Sequence, residues 1–324
     1  MHATMLVCLA VAGWANDELK RYSFEEPHMG TRFRLTFYAA NEATARAASR
    51  EAFARVAQLN AIMSDYLSTS ELMQLCAKAG GPAVKVSDEL FTVLQRAQRV
   101  AQESEGAFDV TIGPVVRLWR QARRTRRLPS DERLAAARAL VGYRLVELDD
   151  RAKTVRLAKK GMQLDLGGIA KGYTADEVLK VLRRHGITRA LVAAGGDLTL
   201  GEAPPGAKGW AVQIEPLEGE KPGPPLLLAN AAISTSGDTN QYADIDGVRY
   251  SHIVDPRTGL GLIGRMSATV IAPDGITADS LTKVLAILGA EKGFAVLERY
   301  QGVRARLVRR EGDKLIVQRM KGFP

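Results

Sequence analysis

The segment LDLGGIAKGY, residues 164–173, constrains this chain more than any other. Leu164 and Leu166 alternate with Asp165 as on a strand, Gly167-Gly168 turn the chain, and a helical pattern begins near Ile169. A strand–glycine–helix junction lets backbone amides approach an anion at the positive end of a helix dipole, and Lys171 adds a full charge in the first turn. Asp165 points towards the same place. A carboxylate there is unfavourable unless it bonds a ligand hydroxyl or ring nitrogen, or a cation intervenes. Taken alone, the segment is equally a tight turn followed by a surface lysine, because short glycine turns are common.

The rest of the chain sets this junction among clustered strands and helices. Residues 32–38 alternate as a strand, and 43–63 carry apolar residues at helical spacing. Ser87-Asp88-Glu89 offer a cap and an acidic first turn for a helix to about residue 104, stopped by Gly106. Residues 108–114 read as a strand ending in a turn, Ser130 caps a helix to about 140, and short strands follow at 144–148, 154–157 and 162–166. The helix from about Ile169 to His185 closes at Gly186, a left-handed cap. Residues 190–254 are glycine-punctuated and strand-rich; the proline-rich stretch 216–225 is a surface loop, since strand patterns resume at once. A strand at 266–272, a helix capped by Thr277 and running to about 288, and a hairpin of 304–308 with 315–317 complete the chain. No internal repeat is present. Elements cluster without strict alternation, which predicts an α+β fold over a doubly wound parallel sheet.

At 324 residues the length allows two domains or one large one. Hydrophobic residues make up 46% and charged residues 25%, as in ordinary globular proteins. The net charge of +9 admits nucleic acid, an anionic surface or a phosphate-bearing ligand as partner. Its densest run, RQARRTRR at 120–127, lacks the interleaved aromatics of a base-stacking platform and reads as a solvated loop or helix face, so no nucleic-acid partner is expected. Met5 to Ala12 are apolar and small residues follow, a pattern expected of a signal peptide over 1–15, with a buried amino-terminal strand as the alternative. The expectation is therefore an exported protein whose catalytic unit spans 16–324 and has no transmembrane span, since no stretch reaches the roughly 18 apolar residues a span needs. Cys8 and Cys76 are the only cysteines, and neither a disulfide framework nor a thiolate metal site follows from two.

Two further groups carry chemistry. In YSHIVDPRTG, 250–259, a strand bears His252, one of only four histidines, and Asp255-Pro256 start a turn ending at Gly259. His252 is a candidate general base, although a lone strand histidine more often orients a ligand or supports the fold. In GITADSLTKVLAILG, 275–289, Asp279 and Lys283 share one helix face four residues apart. An ordinary surface ion pair would look the same.

Taken in order, MGTRF, SDYLSTSEL, AFDVTIGPVVRLW, LDLGGIAKGYTAD, ALVAAGGDLTLG, AISTSGD, YSHIVDPRTG and TADSLTKVLAILG resemble the ApbE family, the FAD:protein FMN transferases, over nearly the whole chain after residue 28. The resemblance implies a T-fold-related α+β architecture of mixed sheets with flanking helices. It implies transfer of the FMN moiety of FAD through a phosphoester bond to a Ser or Thr of a target flavoprotein, releasing AMP; some members instead hydrolyse FAD, and a non-catalytic flavin-binding protein is a third reading. FAD contacts would fall on Met29, Tyr66, Ala107, Phe108, Asp109, Asp165, Lys171 and Ile253. A magnesium site would use the Gly168 carbonyl, Asp279 and a hydroxyl four residues beyond. That position holds Lys283, which has donors and no acceptor, and Thr282 stands about 100° round the helix. The Mg2+ is therefore expected to be weakly held, or partly replaced by the Lys283 ammonium. His252 is expected as the base, with Asp279 as its rival. The acceptor would be a membrane-associated flavoprotein, such as a subunit of a sodium-translocating or RNF-type reductase, and the protein periplasmic.

Overall fold

The computed structural model describes residues 19–237 and 242–324. The segment read as a signal peptide lies outside them. The described chain opens with an antiparallel hairpin of β1 (Lys20–His28) and β2 (Thr31–Ala39), turned by Met29 and Gly30 at φ 50° and 72°. A two-residue turn with both φ positive matches the strands' right-handed twist, and it sets Met29 at the hairpin tip. Next come α1 (Glu42–Met63), α2 (Glu71–Ala77), β3 (Val84–Lys85) and α3 (Asp88–Glu103). α4 (Gly113–Thr125), α5 (Asp131–Arg138), β4 (Val146–Asp149), β5 (Thr154–Leu157) and α6 (Ala170–Arg184) follow. The helices predicted from Ser87 and Ser130 form with those serines as caps, each accepting a backbone N–H three residues on.

The carboxyl half supplies most of the strands: β6 (Ala190–Ala194), β7 (Asp197–Leu200), β8 (Trp210–Val212), β9 (Leu226–Leu228) and β10 (Ala231–Gly237). Then come β11 (Tyr242–Ile245), β12 (Val248–Asp255), β13 (Leu260–Ile263), β14 (Met266–Ala272), α7 (Gly275–Leu297), β15 (Arg304–Glu311) and β16 (Lys314–Arg319). One eight-stranded sheet runs β1-β2-β6-β7-β10-β14-β15-β16 with every neighbouring pair antiparallel, so it unites both ends of the described chain. β14 is buried at all seven positions, as a central strand covered on both faces must be. α1, α6 and α7 contact one another in that order over β2, β6–β7 and β10–β14. Smaller sheets, β11-β12-β13, β3-β5-β4 and β8-β9, complete an α+β architecture, as expected.

Three local expectations fail, each for a physical reason. Residues 108–114 form a turn rather than a strand. Asp109 Oδ1 accepts both the N–H and the hydroxyl of Thr111, which curls the chain, and Pro114 sits in the first turn of α4, where its missing N–H costs nothing. Residues 162–166 are extended but find irregular partners: Leu164 N–H donates to Cys76 Sγ at 3.3 Å and Asp165 N–H to Val110 O at 2.8 Å, and one parallel bridge joins Ile112 to Gln163. Thr277 does not cap α7. Asp274 does, accepting the Thr277 N–H, and Gly289 at φ 73° breaks the helix just after its predicted end.

Candidate active site

The site is built where α6 crosses α7. A Cβ on Gly172 would stand 2.0 Å from Gly275 O, and one on Gly275 would stand 2.5 Å from Gly172 O, so the two backbones touch as only glycines allow. Asp176 holds the same junction, accepting the N–H groups of Gly275 (2.7 Å) and Ile276 (3.0 Å) at the start of α7. Burial pushes the Asp176 carboxyl up to about 7 against the pull of those two amides.

The close crossing brings Asp279, fully buried, beneath the first turn of α6, where its Oδ2 accepts the Gly172 N–H at 3.1 Å. Lys283, one turn along α7, donates to Asp279 Oδ1 and, at 3.0 Å, to its backbone carbonyl. Lys171 stands 3.7 Å from Asp279 Oδ2 and 2.5 Å from Asp197 Oδ2, while the Ser234 hydroxyl donates to Asp197 Oδ1. Two ammonium groups and two carboxylates thus alternate. Burial opposes ionisation of Asp279, but Lys171 and Lys283 outweigh it and hold the carboxyl below its usual range. Burial likewise acts against the Lys171 ammonium, and Asp197 and Asp279 more than reverse it, raising its pKa.

A second polar group lies elsewhere on the same cavity. Arg120, on α4, donates to Asp165 Oδ2 at 3.0 Å, stands 2.5 Å from Asp65 Oδ2, and covers the Tyr66 ring at 4.2 Å from its centroid. Burial pushes the Asp165 carboxyl up and the neighbouring Asp65 adds to the rise, against the Gly167 N–H and Arg120. Asp165 Oδ1 takes the Gly167 N–H at 2.8 Å, so that amide of the glycine turn faces its own chain rather than a ligand.

Both groups open on one cavity of about 710 Å³. Met29, Tyr66, Ala107 and Phe108 line it from the amino-terminal half; Asp165, Gly168, Lys171, His252, Ile253 and Lys283 line it from the remainder. Asp109 also reaches the wall, with its carboxylate committed to Thr111. Asp279 and Thr282 stand behind the wall. The Thr282 hydroxyl shares a 2.8 Å hydrogen bond with Ser236 and donates to Asp279 O at 2.7 Å.

The ApbE family profile matches residues 29–307. The chain belongs to the ApbE family. An FAD:protein FMN transferase of Klebsiella pneumoniae is 34% identical over 311 residues, covering 94% of each chain, and one of Treponema pallidum is 34% identical over 304 residues, covering 89% of this chain and 84% of its own. The solved flavin transferase ApbE from Vibrio cholerae superposes with a TM-score of 0.85 at 31% identity, covering 94% of this chain and 99% of that one. The Pseudomonas stutzeri flavinyl transferase ApbE gives 0.82 at 31% identity, over 94% and 95%.

Against this family's expected magnesium site, the residues present do not fit. Magnesium demands oxygen donors in near-octahedral array. Here Lys283 occupies Asp279 Oδ1, the Gly172 amide occupies Oδ2, and the Thr282 hydroxyl is turned to Ser236. Among the described residues no three His, Cys, Asp or Glu side chains gather to hold a metal. Sequence reasoning passed over Asp65, Asp197, Ser234 and Arg120. Arg120 lay hidden in a charge run that looked uniformly solvated, whereas helical periodicity from Pro114 would have separated its inward face; Asp197 was legible as the acid following a Gly-Gly pair between two strands.

Proposed function

We propose that this protein transfers the FMN moiety of FAD to a Ser or Thr hydroxyl of an acceptor flavoprotein and releases AMP. The observation that carries the reading is a pair of lysine ammonium groups, Lys171 and Lys283, set side by side on buried carboxylates in the wall of a cavity of about 710 Å³. Small-molecule sites span roughly 300–1,000 Å³, and such paired cations match a pyrophosphate. The Tyr66 ring and the apolar Phe108 and Ile253 offer surface for flat rings, and family membership supports the assignment.

In this reading the acceptor oxygen attacks the FMN-side phosphorus. The new P–O bond forms as the bond to the AMP oxygen breaks, the hydroxyl proton passes to His252 Nδ1 or Nε2, and AMP leaves with the bridging oxygen. Lys171 and Lys283 neutralise charge on the phosphates, so positioning and electrostatics supply most of the rate. His252 suits the base because it is exposed on β12 and lines the cavity, whereas Asp279 is fully buried behind its wall. His252→Ala is expected to lower transfer at saturating FAD by about 10²–10⁴-fold. Near-normal transfer would remove it from that role.

Mass spectrometry of an acceptor incubated with the protein and FAD tests the reaction. Added FMN on Ser or Thr with one AMP released supports transfer; free FMN and AMP alone make the protein a hydrolase, and retained FAD without AMP makes it a carrier. The apolar segment at residues 5–12 supports export of this protein to the periplasm, and the family resemblance supports a membrane-associated acceptor, which fractionation of labelled flavoproteins would test. Among the described residues, no helix is long and apolar enough to cross a membrane.

A further inference from the structure

We infer that Lys283 is a resident cation: together with Lys171 it presents the positive charge that a pyrophosphate meets in this cavity, and it excludes a divalent metal from Asp279. This deepens the transferase reading, on which its catalytic consequence rests.

Position is the first support. The Lys283 stem runs past Gly168, where an added Cβ would stand 3.3 Å from Lys283 Cε and 3.3 Å from a Phe108 ring carbon. That packing aims the ammonium at Asp279, where it bonds both the side-chain Oδ1 and the backbone carbonyl. An ammonium has three hydrogens. Two serve Asp279, leaving a third direction for a ligand at the wall that Lys283 lines.

Competition is the second. A divalent ion reaching Asp279 would have to displace Lys283 from Oδ1 and would then lie close to two ammonium groups, since Lys171 stands 3.7 Å from Oδ2. Like charges at such separations repel strongly where water is excluded. Thr282 could not follow the ion without leaving Ser236.

Layering is the third. Two lysines and two aspartates make the cluster formally neutral, but the lysines are its more exposed members. The Asp279 side chain is wholly buried behind the cavity and that of Asp197, on its wall, is 9% exposed, whereas the Lys283 and Lys171 side chains on the same wall are 17% and 25% exposed. The carboxylates anchor the charge, and the lysines present it.

The test begins with Mn2+ titration of the FAD-free full-length protein, followed by electron paramagnetic resonance. Wild type is expected to show no stoichiometric Mn2+ binding in the sub-millimolar range, and Lys283→Thr, which restores an oxygen and removes a charge, to bind Mn2+ at least about tenfold more tightly. FAD affinity, read from flavin fluorescence, should change less than about twofold in wild type on adding a chelator, and Lys283→Met should weaken it by about tenfold or more. Transfer by wild type should persist in chelator, whereas transfer by Lys283→Thr should require added Mg2+. One-to-one Mn2+ binding by wild type, or loss of FAD binding or transfer in chelator with rescue by Mg2+, overturns the inference. So does a folded Lys283→Thr protein that gains no Mn2+ affinity. If that variant fails to fold by circular dichroism, the wild-type measurements still decide. Because the Mn2+ and FAD titrations need no acceptor, a protein that excludes Mn2+ yet transfers nothing would refute the transferase reading while leaving the cation assignment standing.

Discussion

The two polar groups on the cavity are held in opposite ways. At the crossing of α6 and α7, Asp279 is completely buried, and Lys171, Lys283 and the Gly172 amide converge on it under direct backbone contact. At the Arg120 group, Tyr66 is 73% exposed, and its arrangement depends on one guanidinium shared among Asp65, Asp165 and an aromatic face. The first cannot rearrange without separating two helices. The second is held chiefly by side-chain bonds to Arg120 beside an exposed ring. In the proposed reaction, fixed charge would suit the reacting phosphates, and the looser Arg120 group would suit recognition of a flat ligand.

Breaking the buried group should cost most. Asp279→Ala leaves two ammonium groups without their shared carboxylate and is expected to destabilise the fold by about 3–5 kcal/mol, with loss of transfer, measured by denaturant melts and acceptor labelling. The same region should respond to pH. The Asp176 carboxyl is raised from 3.8 to about 7 in the fold, so its contribution to stability is full below about pH 4 and is lost as pH rises to 7. By linkage the loss is on the order of 2–4 kcal/mol. Urea melts from pH 4 to 8 should show wild type falling relative to Asp176→Asn across that window and running parallel above it. Gly172→Ala forces a methyl against Gly275 O and should cost about 1–3 kcal/mol, lowering transfer more than stability because it shifts Asp279 and Lys283. The smallest effect belongs to the exposed group. Arg120→Ala should raise KM for FAD by about tenfold, a loss near 1.4 kcal/mol, with a smaller change in kcat and almost none in melting temperature. A large stability loss there would abolish the distinction between the two regions.

Much of this was readable locally. Caps at Ser87 and Ser130, the left-handed stop at Gly186 and the turn closing at Gly259 depend on neighbours within a few residues, and they formed where predicted. Asp279 and Lys283 were recognisable as one helix face, and Lys171 as a first-turn cation. Their meeting was not. The glycine junction looked like an anion cradle of backbone amides, yet Asp165 takes the Gly167 N–H and Asp279 the Gly172 N–H, and the full positive charges come from the lysine side chains. The strand expected at 108–114 failed because Asp109 outcompeted a ladder for the Thr111 donors, a choice that periodicity cannot register.

The sequence by itself determined the α+β class and the family, because these follow from spacing and from motifs kept in order along the chain. Only the tertiary structure decided that Lys283 bonds Asp279 inside the protein instead of forming a surface pair, and that Arg120 faces inward from a basic run. The physical reason is distance: residues 171 and 279 meet through two glycines whose missing side chains let helices touch, and such a contact leaves no periodic trace in either segment.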